Sequence, residues 1–416
     1  MPETTPRRSP LAGDPGPGGV NVPETASTAS PLEGRRIVLG VTGGIAAYKA
    51  VEVCRRLVDA GAHVAPIMTD GAQRFVGEVT FSALASEPVQ TSLWDEASPI
   101  PHTRLGQGAD LIVVCPATAR LLGAYAAGIS DDLLTATLLA TRAPVVVCPA
   151  MHTEMWEHPA VQDNLRVLAG RGVTIVPPEE GRLADPARIV AALEAVLGPD
   201  DLAGLDVLVT AGGTREPIDP VRFIGNRSSG KQGHALADEA ASRGAKVTLV
   251  TTVDRPTTGG VEIVRVATAA EMDAAVRERS ATADVVVMAA AVADFRPDST
   301  ADTKLKKDGG PPTVTLVPTA DILGGLVERR RPGQTLVGFA AETDDVEANA
   351  AAKLARKPVD LLVVNDVSQP GAGFESDTNA VRIMSPSGST LTVDQRDKRA
   401  VARAVLDAVV ADRATS

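Results

Sequence analysis

The chain has 416 residues, 44% of them hydrophobic, which is enough for two domains with full cores. Its formal net charge of −11 argues against non-specific binding to a polyanion, and six Phe, two Trp and two Tyr are too few for a base-stacking platform. Cys54, Cys115 and Cys148 sit in apolar segments without paired spacing, and no apolar run reaches membrane-spanning length; the expectation is a cytoplasmic protein with no disulfide scaffold, no nucleic-acid partner and no membrane partner.

Residues 1–34 are rich in Pro, Gly, Ser and Thr, lack the apolar core of a signal peptide, and read as a disordered tail. The fold is expected to start near Arg35. RRIVLGVTGGIAAYKAVEVCRRLVDAGAHVAPIMT reads strand, Gly turn, helix, strand, with Gly43 and Gly44 in the turn and Gly61 closing the helix. A βαβ unit of this length implies a parallel sheet. ADLIVVC is the next strand, ending in PATA. GISDDLLTATLLAT suggests a helix with an acidic first turn, and APVVVCPAMHTEMW gives another buried strand. Two strands ending in Cys-Pro-Ala set two similar polar edges at the carboxyl end of the sheet, where an α/β fold places its ligand crevice. His102 stands just before one of these strands; a lone histidine there also reads as a surface or capping residue. GVTIVPP and DPARIVAALEAVL complete this half, and LGPDDLAG (198–204) is the boundary.

The second half is organised around residues 205–233, LDVLVTAGGTREPIDPVRFIGNRSSGKQG. A buried strand breaks at Gly212-Gly213, where the backbone can offer N–H groups to an anion. A polar loop with Arg215, Arg222, Asn226, Arg227 and Lys231 follows, then a helix ending at Gly244. A long loop with five donors is costly to order unless it binds something, although the same charges could simply face water. AKVTLVTT, ATAAEMDAAVRERSA and ADVVVMAAAVADFRP give strand, helix and strand. In KLKK, Lys304 and Lys306 share one side of an extended segment, a pattern that a solvated charge run also produces. LVGFAAET is a strand. DVEANAAAKLARKPVD is a helix with Lys353 and Lys357 at i,i+4, and VDLLVVNDV is the last central strand before a closing helix at 396–412. The lysine pair also suits a helix dipole, but with the two cationic loops it makes a set fit for a triphosphate. Neither turn carries GxGxxG, which argues against a nicotinamide dehydrogenase, and no Walker loop is present.

These motifs are specific enough to identify a family. Over residues 35–412 the chain resembles the bifunctional phosphopantothenoylcysteine decarboxylase/phosphopantothenate–cysteine ligases of coenzyme A synthesis. TAGGTREPIDPVRFIGNRSSGKQG, AAAVADFRP, KLKK, VGFAAET and VVNDVSQPGAGFESDTN carry the ligase half; GVTGGIAAYKA, MTDGAQRF, CPATA and PAMHTEMW carry the flavin half. The resemblance implies an α/β chain with two Rossmann-like parallel-sheet domains, a flavoprotein domain at 35–200 and a CTP-dependent ligase domain at 201–416. It implies that 4′-phosphopantothenate is activated by CTP as an acyl-cytidylate, with Mg²⁺ on the leaving pyrophosphate, and is attacked by cysteine. It places Asn226 and Lys304 in catalysis, with Gly212, Arg222, Asp294, Lys304, Asp321, Ile322, Phe339, Lys353 and Lys357 on substrate or CTP; the metal ligands are left unassigned. In the first half it implies FMN held by Gly43, Gly44, Ile45, Thr69, Ala117, Thr118 and Met151, with His102 as the base of an oxidative decarboxylation, and it implies a homo-oligomer acting on small-molecule substrates.

Two departures stand out. His152 replaces the Asn of the family's PAMN. The segment VPPEEGRLADPARIV lacks the Cys-bearing flap that in relatives donates a proton to the enethiolate. An alternative reading follows from the second: a ligase alone, whose degenerate flavin domain serves assembly. A scaffold without ligase activity is a third reading, opposed by the intact cation set.

Overall fold

The structure, a computed structural model, describes residues 30–94, 100–257, 260–306, 313–342, 346–366 and 376–415. In the first unit the chain runs β1 (Arg36–Val41), α1 (Ala47–Asp59), β2 (His63–Met68), α2 (Asp70–Gln73), α3 (Glu78–Leu84), α4 (Pro101–Gly108), β3 (Leu111–Ala117), α5 (Ala119–Ala127), α6 (Leu133–Leu139), β4 (Val145–Pro149), α7 (Thr153–Trp156), α8 (Pro159–Gly170), β5 (Thr174–Ile175) and α9 (Pro186–Leu197). The five strands are ordered β2-β1-β3-β4-β5, all parallel. Strand alternation splits the core. Ile37, Leu39, Val41, Val113 and Cys115 pack with α1 and α9 on one face, while Val38, Ile112 and Val114 pack with α5, α6 and α8 on the other. The chain reverses direction across the sheet between β1 and β3, so their carboxyl ends flank a crevice.

Two expectations are corrected here. Residues 30–34, expected in the 1–34 tail, belong to the fold: Leu32 is 0% exposed in the first core, and Ser30 Oγ donates to Glu194 Oε1 at 2.9 Å. Residues 1–29 lie outside the described residues. The acid expected in the first turn of α6 stands one position earlier: Asp132 is the N-cap and accepts the Thr135 N–H at 2.8 Å.

The second unit runs β6 (Asp206–Ala211), β7 (Arg215–Pro217), β8 (Phe223–Gly225), α10 (Lys231–Ser242), β9 (Lys246–Thr251), β10 (Val261–Arg265), α11 (Ala269–Ser280), β11 (Val285–Met288), β12 (Phe295–Pro297), β13 (Leu316–Pro318), α12 (Ile322–Glu328), β14 (Thr335–Glu342), α13 (Val346–Arg356), β15 (Leu361–Asp366), β16 (Thr378–Met384), β17 (Thr390–Asp397) and α14 (Lys398–Thr415). Its sheet, β10-β9-β6-β11-β14-β15-β16-β17, is parallel as far as β15 and antiparallel beyond. The β16–β17 hairpin is absent from the sequence reading, although the alternation of buried Val381 and Ile383 with less buried neighbours is a strand signal. The polar loop after β6 is partly regular: β7 and β8 pair antiparallel, as do β12 and β13.

Candidate active sites

The second unit builds its site where the strand order reverses, between β6 and β11. The tails of these two strands are zipped together. Ala291 N donates to Gly212 O at 2.8 Å, Thr214 N to Ala291 O at 3.3 Å and Ala293 N to Thr214 Oγ1 at 2.9 Å. Gly212 has φ +86, and a Cβ there would run into Thr252 Oγ1; a Cβ on Gly213 would run into Asn226 O. Glycine is therefore required at both positions. On this frame Asn226 Nδ2 donates to Val292 O at 3.1 Å. Gly233 lets α10 approach β6 closely, since a Cβ would lie 2.5 Å from Ala211 Cβ. The N-terminus of α10 thus faces the crevice.

The resulting cavity, about 460 Å³, is lined by Asn226, Lys231, Asp294, Asp321, Ile322, Phe339, Lys353 and Lys357 together with Asn365, Asn379 and Lys398. Six of the residues expected on substrate or CTP meet here, with Asn226, expected in catalysis, beside them. Gly212, Arg222 and Lys304 are not in its lining. Gly212 is buried in the turn beneath it. Arg222 is engaged elsewhere: its guanidinium donates to Asp219 Oδ2 at 2.6 and 2.9 Å and to Leu305 O at 2.8 Å, which ties the β7–β8 hairpin to the exposed Lys304 segment. Burial pushes the Asp219 carboxyl upward, but Arg222 and the N–H groups of Val221, Arg222 and Leu305 outweigh it and hold the group well below the usual carboxylate range. Lys307 and residues 367–375 lie outside the described residues.

The cavity carries excess positive charge at two ends. At one, Lys357 Nζ lies 2.7 Å from Asp321, and Lys353 Nζ donates to Phe339 O at 3.3 Å. Burial acts to raise the Asp321 carboxyl, but Lys357, the Gly324 N–H and Lys353 leave it lowered. At the other, Lys231 Nζ meets Asp377 at 2.5 Å, and Lys398, only 7% exposed, stands beside them. Burial, reinforced by Lys231 and Arg255 and opposed by Asp377, brings the Lys398 amine down to about 8. Sequence reasoning missed Lys398, Asn365 and Asn379; the first and last reach the cavity only because the β16–β17 hairpin returns the start of α14 to this edge.

In the first unit, Gly43, Gly44, Ile45, Thr69, Ala117, Thr118 and Met151 all fall at or just beyond the carboxyl ends of β1, β2, β3 and β4. Thr42 Oγ1 donates to Pro116 O at 2.7 Å and accepts from Thr118 N at 3.2 Å, locking the β1 and β3 turns together. A Cβ on Gly43 would sit 2.7 Å from the Gly71 backbone, so two glycines let the β1 and β2 turns touch. A cavity of about 630 Å³ opens beside them, lined by Gly44, Ile45, Tyr48, Lys49, Met151, His152, Glu180, Gly181 and Arg182 among others. Ile45 is 77% and Tyr48 60% exposed, an apolar rim that suits a planar ring system, and the glycine turns suit close approach of a phosphate; the residues present fit a flavin nucleotide. His102 is not in this lining. It is the second residue of α4, and its buried Nδ1 has no hydrogen-bond partner among the described residues. Among the described residues no three His, Cys, Asp or Glu side chains gather as a metal cage, and no helix is long and apolar enough to cross a membrane.

Comparison with known proteins gives matches along both units. The family profile described as Flavoprotein matches residues 25–198, and the one described as DNA/pantothenate metabolism flavoprotein C-terminal domain matches residues 202–412. The coenzyme A biosynthesis bifunctional protein CoaBC of Mycobacterium tuberculosis (strain ATCC 25618 / H37Rv) is 49% identical over 403 residues, covering 90% of this chain and 96% of that protein. Its counterpart in Escherichia coli (strain K12) is 44% identical over 396 residues, covering 91% of this chain and 97% of that protein. The crystal structure of the C-terminal domain of a CoaBC protein is 36% identical and covers 52% of this chain and 100% of that one, with a TM-score of 0.45.

Proposed function

Since the chain belongs to the family of bifunctional coenzyme A biosynthesis proteins, we propose that its second cavity ligates cysteine to 4′-phosphopantothenate with CTP and that its first decarboxylates the product with FMN. Phosphopantothenate–cysteine ligase and phosphopantothenoylcysteine decarboxylase are the two activities of this family. Relatives 44–49% identical match over both halves, so the reading as a ligase alone is not favoured.

The observation that carries the ligase reading is the cavity at the β6–β11 crevice, with Lys231, Lys353, Lys357 and Lys398 around Asn226. A carboxylate becomes an electrophile only when its oxygen is part of a phosphate ester, and charge then builds on the departing pyrophosphate. Four ammonium groups and the N-terminus of α10 stabilise that charge. Asn226 holds the acyl-cytidylate, and Asp294, Asp321, Ile322, Phe339, Lys353 and Lys357 hold CTP. Mg²⁺ arrives on the phosphates, as suits a cation that prefers one or two carboxylates plus substrate oxygens to a protein cage. The test is pyrophosphate release from CTP. It should require 4′-phosphopantothenate; release without it, or none at all, would sink the reading. The pH dependence has a defined sign. A bound polyanion raises the Lys398 amine from about 8, so binding takes up a proton. Affinity for CTP is therefore highest below about pH 8 and declines as pH rises through it, and titration calorimetry in two buffers of different ionisation enthalpy should show proton uptake near pH 8.

When bound, FMN supplies the two-electron chemistry that makes the cysteinyl carbon lose CO₂. Gly43, Gly44, Ile45, Thr69, Ala117, Thr118 and Met151 would hold it at the carboxyl ends of the strands. His102 serves as base. Its absence from the cavity lining of its own chain, and the exposed apolar side chains of the two hairpins (Val221 60%, Phe223 54%, Phe295 52%, Leu316 45%), support a homo-oligomer. Light scattering that finds only monomer at micromolar concentration would remove this part. A cytoplasmic location follows from the same chemistry, because coenzyme A precursors and CTP are intracellular metabolites.

A further inference from the structure

We infer that His152 delivers the proton that takes the place of CO₂ in the first cavity. The inference rests on reading that cavity as the decarboxylase site. Atom balance demands such a group: when the C–CO₂ bond breaks, its electron pair stays on the carbon framework, and that framework must gain H⁺. Over the full cycle the two electrons drawn from the cysteinyl group to the flavin are returned, so the net change is CO₂ for H⁺.

The cavity wall offers five titratable side chains, Tyr48, Lys49, His152, Glu180 and Arg182, and no cysteine. The chain's three cysteines are buried in the core, with burial pushing the Cys54 thiol up to about 11. Arginine does not release its proton, and phenols and amines release theirs reluctantly. A carboxylic acid has ordinarily lost its proton by neutral pH. Imidazole is the class that ordinarily gives and takes a proton there.

Position supports the same choice. After β5 the chain makes a tight turn rather than a long flap. Glu179 and Arg182 exchange two hydrogen bonds of 2.9 Å around Glu180 (φ +50) and Gly181 (φ +74). The turn comes down on the segment carrying His152: a Cβ on Gly181 would lie 3.0 Å from Met151 O and 3.4 Å from Thr153 Oγ1. His152 is the N-cap residue of α7, and its backbone oxygen accepts from Met155 and Trp156, which fixes the main chain. Its ring is not spent on capping, whereas His158 Nδ1 accepts the Ala160 N–H at 3.2 Å at the start of α8. The two places where the sequence departs from its family's pattern thus meet at one wall.

The test uses the full, flavin-loaded chain with phosphopantothenoylcysteine, comparing wild type with H152N and H152Q. Both variants should release CO₂ to about one equivalent per flavin, leave the flavin reduced, and yield a product two hydrogens lighter by mass spectrometry. Formation of full-mass product should fall about 10²-fold and recover in part with added imidazole. Full-mass product at the wild-type rate in either variant overturns the inference, as does loss of CO₂ release with flavin retained, which would place His152 before bond cleavage. Absence of CO₂ from the wild type would instead strike the decarboxylase reading itself.

Discussion

Asn226→Ala is expected to slow ligation by about 10²–10³-fold while CTP affinity stays close to wild type, the loss typical of one preorganised donor. The side chain is held by its surroundings. One N–H of the carboxamide is taken by Val292 O at 3.1 Å, which sets the plane of the amide and leaves the second N–H for charge on the acyl-cytidylate. Val292 is itself positioned by the zipped tails of β6 and β11, through Ala291 and Ala293. Alanine removes the donor and leaves that frame intact, because the Gly213 contact is to the Asn226 main chain. Initial rates of amide formation, set beside calorimetric CTP binding, separate the two effects. A loss under threefold, or a parallel loss of CTP binding, would take Asn226 out of catalysis.

The largest stability effect is expected at Arg243. Its side chain is 2% exposed, donates twice to Asp201 at 2.7 and 2.8 Å, and reaches Asp407 at 2.7 Å. It therefore binds the inter-unit segment and helix α14 to the end of α10. Burial acts to lower the Arg243 guanidinium, but the two carboxylates outweigh it and leave it raised; burial raises the Asp407 carboxyl despite Arg243. Removing one partner of a buried ion pair costs about 3–5 kcal/mol, and the partial exposure of both aspartates, 32% and 42%, places Arg243→Met at the low end, about 3 kcal/mol. For a unit of this size that lowers its melting temperature by about 6–12 °C. Calorimetry should show the shift in the transition of the second unit alone; a shift under 2 °C would mean that the methionine repacks without loss.

The turns were legible in the sequence because their chemistry is local. Gly61 and Gly244 close helices with φ of +82 and +83, and the lysine pair at 353 and 357 declared its shared face by spacing. The flavin-contact candidates came from the resemblance, and they stand at or just beyond the ends of buried strands. What local pattern could not supply was assembly over distance. Lys398 lies far along the chain from Asn226 and meets its cavity only through an antiparallel hairpin at the sheet edge. Arg222, which the resemblance places on substrate or CTP, donates to Asp219 three residues earlier, a partner visible in the sequence. Lys304 follows Arg222 away from the lining, because Leu305 is bound to the same bracket. His102 could be read as a candidate base from resemblance, but its absence from the lining of its own chain's cavity is a tertiary fact.

The account's central claim is that one chain carries out both reactions in sequence. It is tested most directly by giving the purified, FMN-loaded protein Mg²⁺, CTP, cysteine and 4′-phosphopantothenate and weighing the product. The expected result is 4′-phosphopantetheine, with one CO₂ and one pyrophosphate released per molecule formed. Accumulation of phosphopantothenoylcysteine without CO₂ would contradict it, reducing the first unit to a flavin-binding partner of a working ligase.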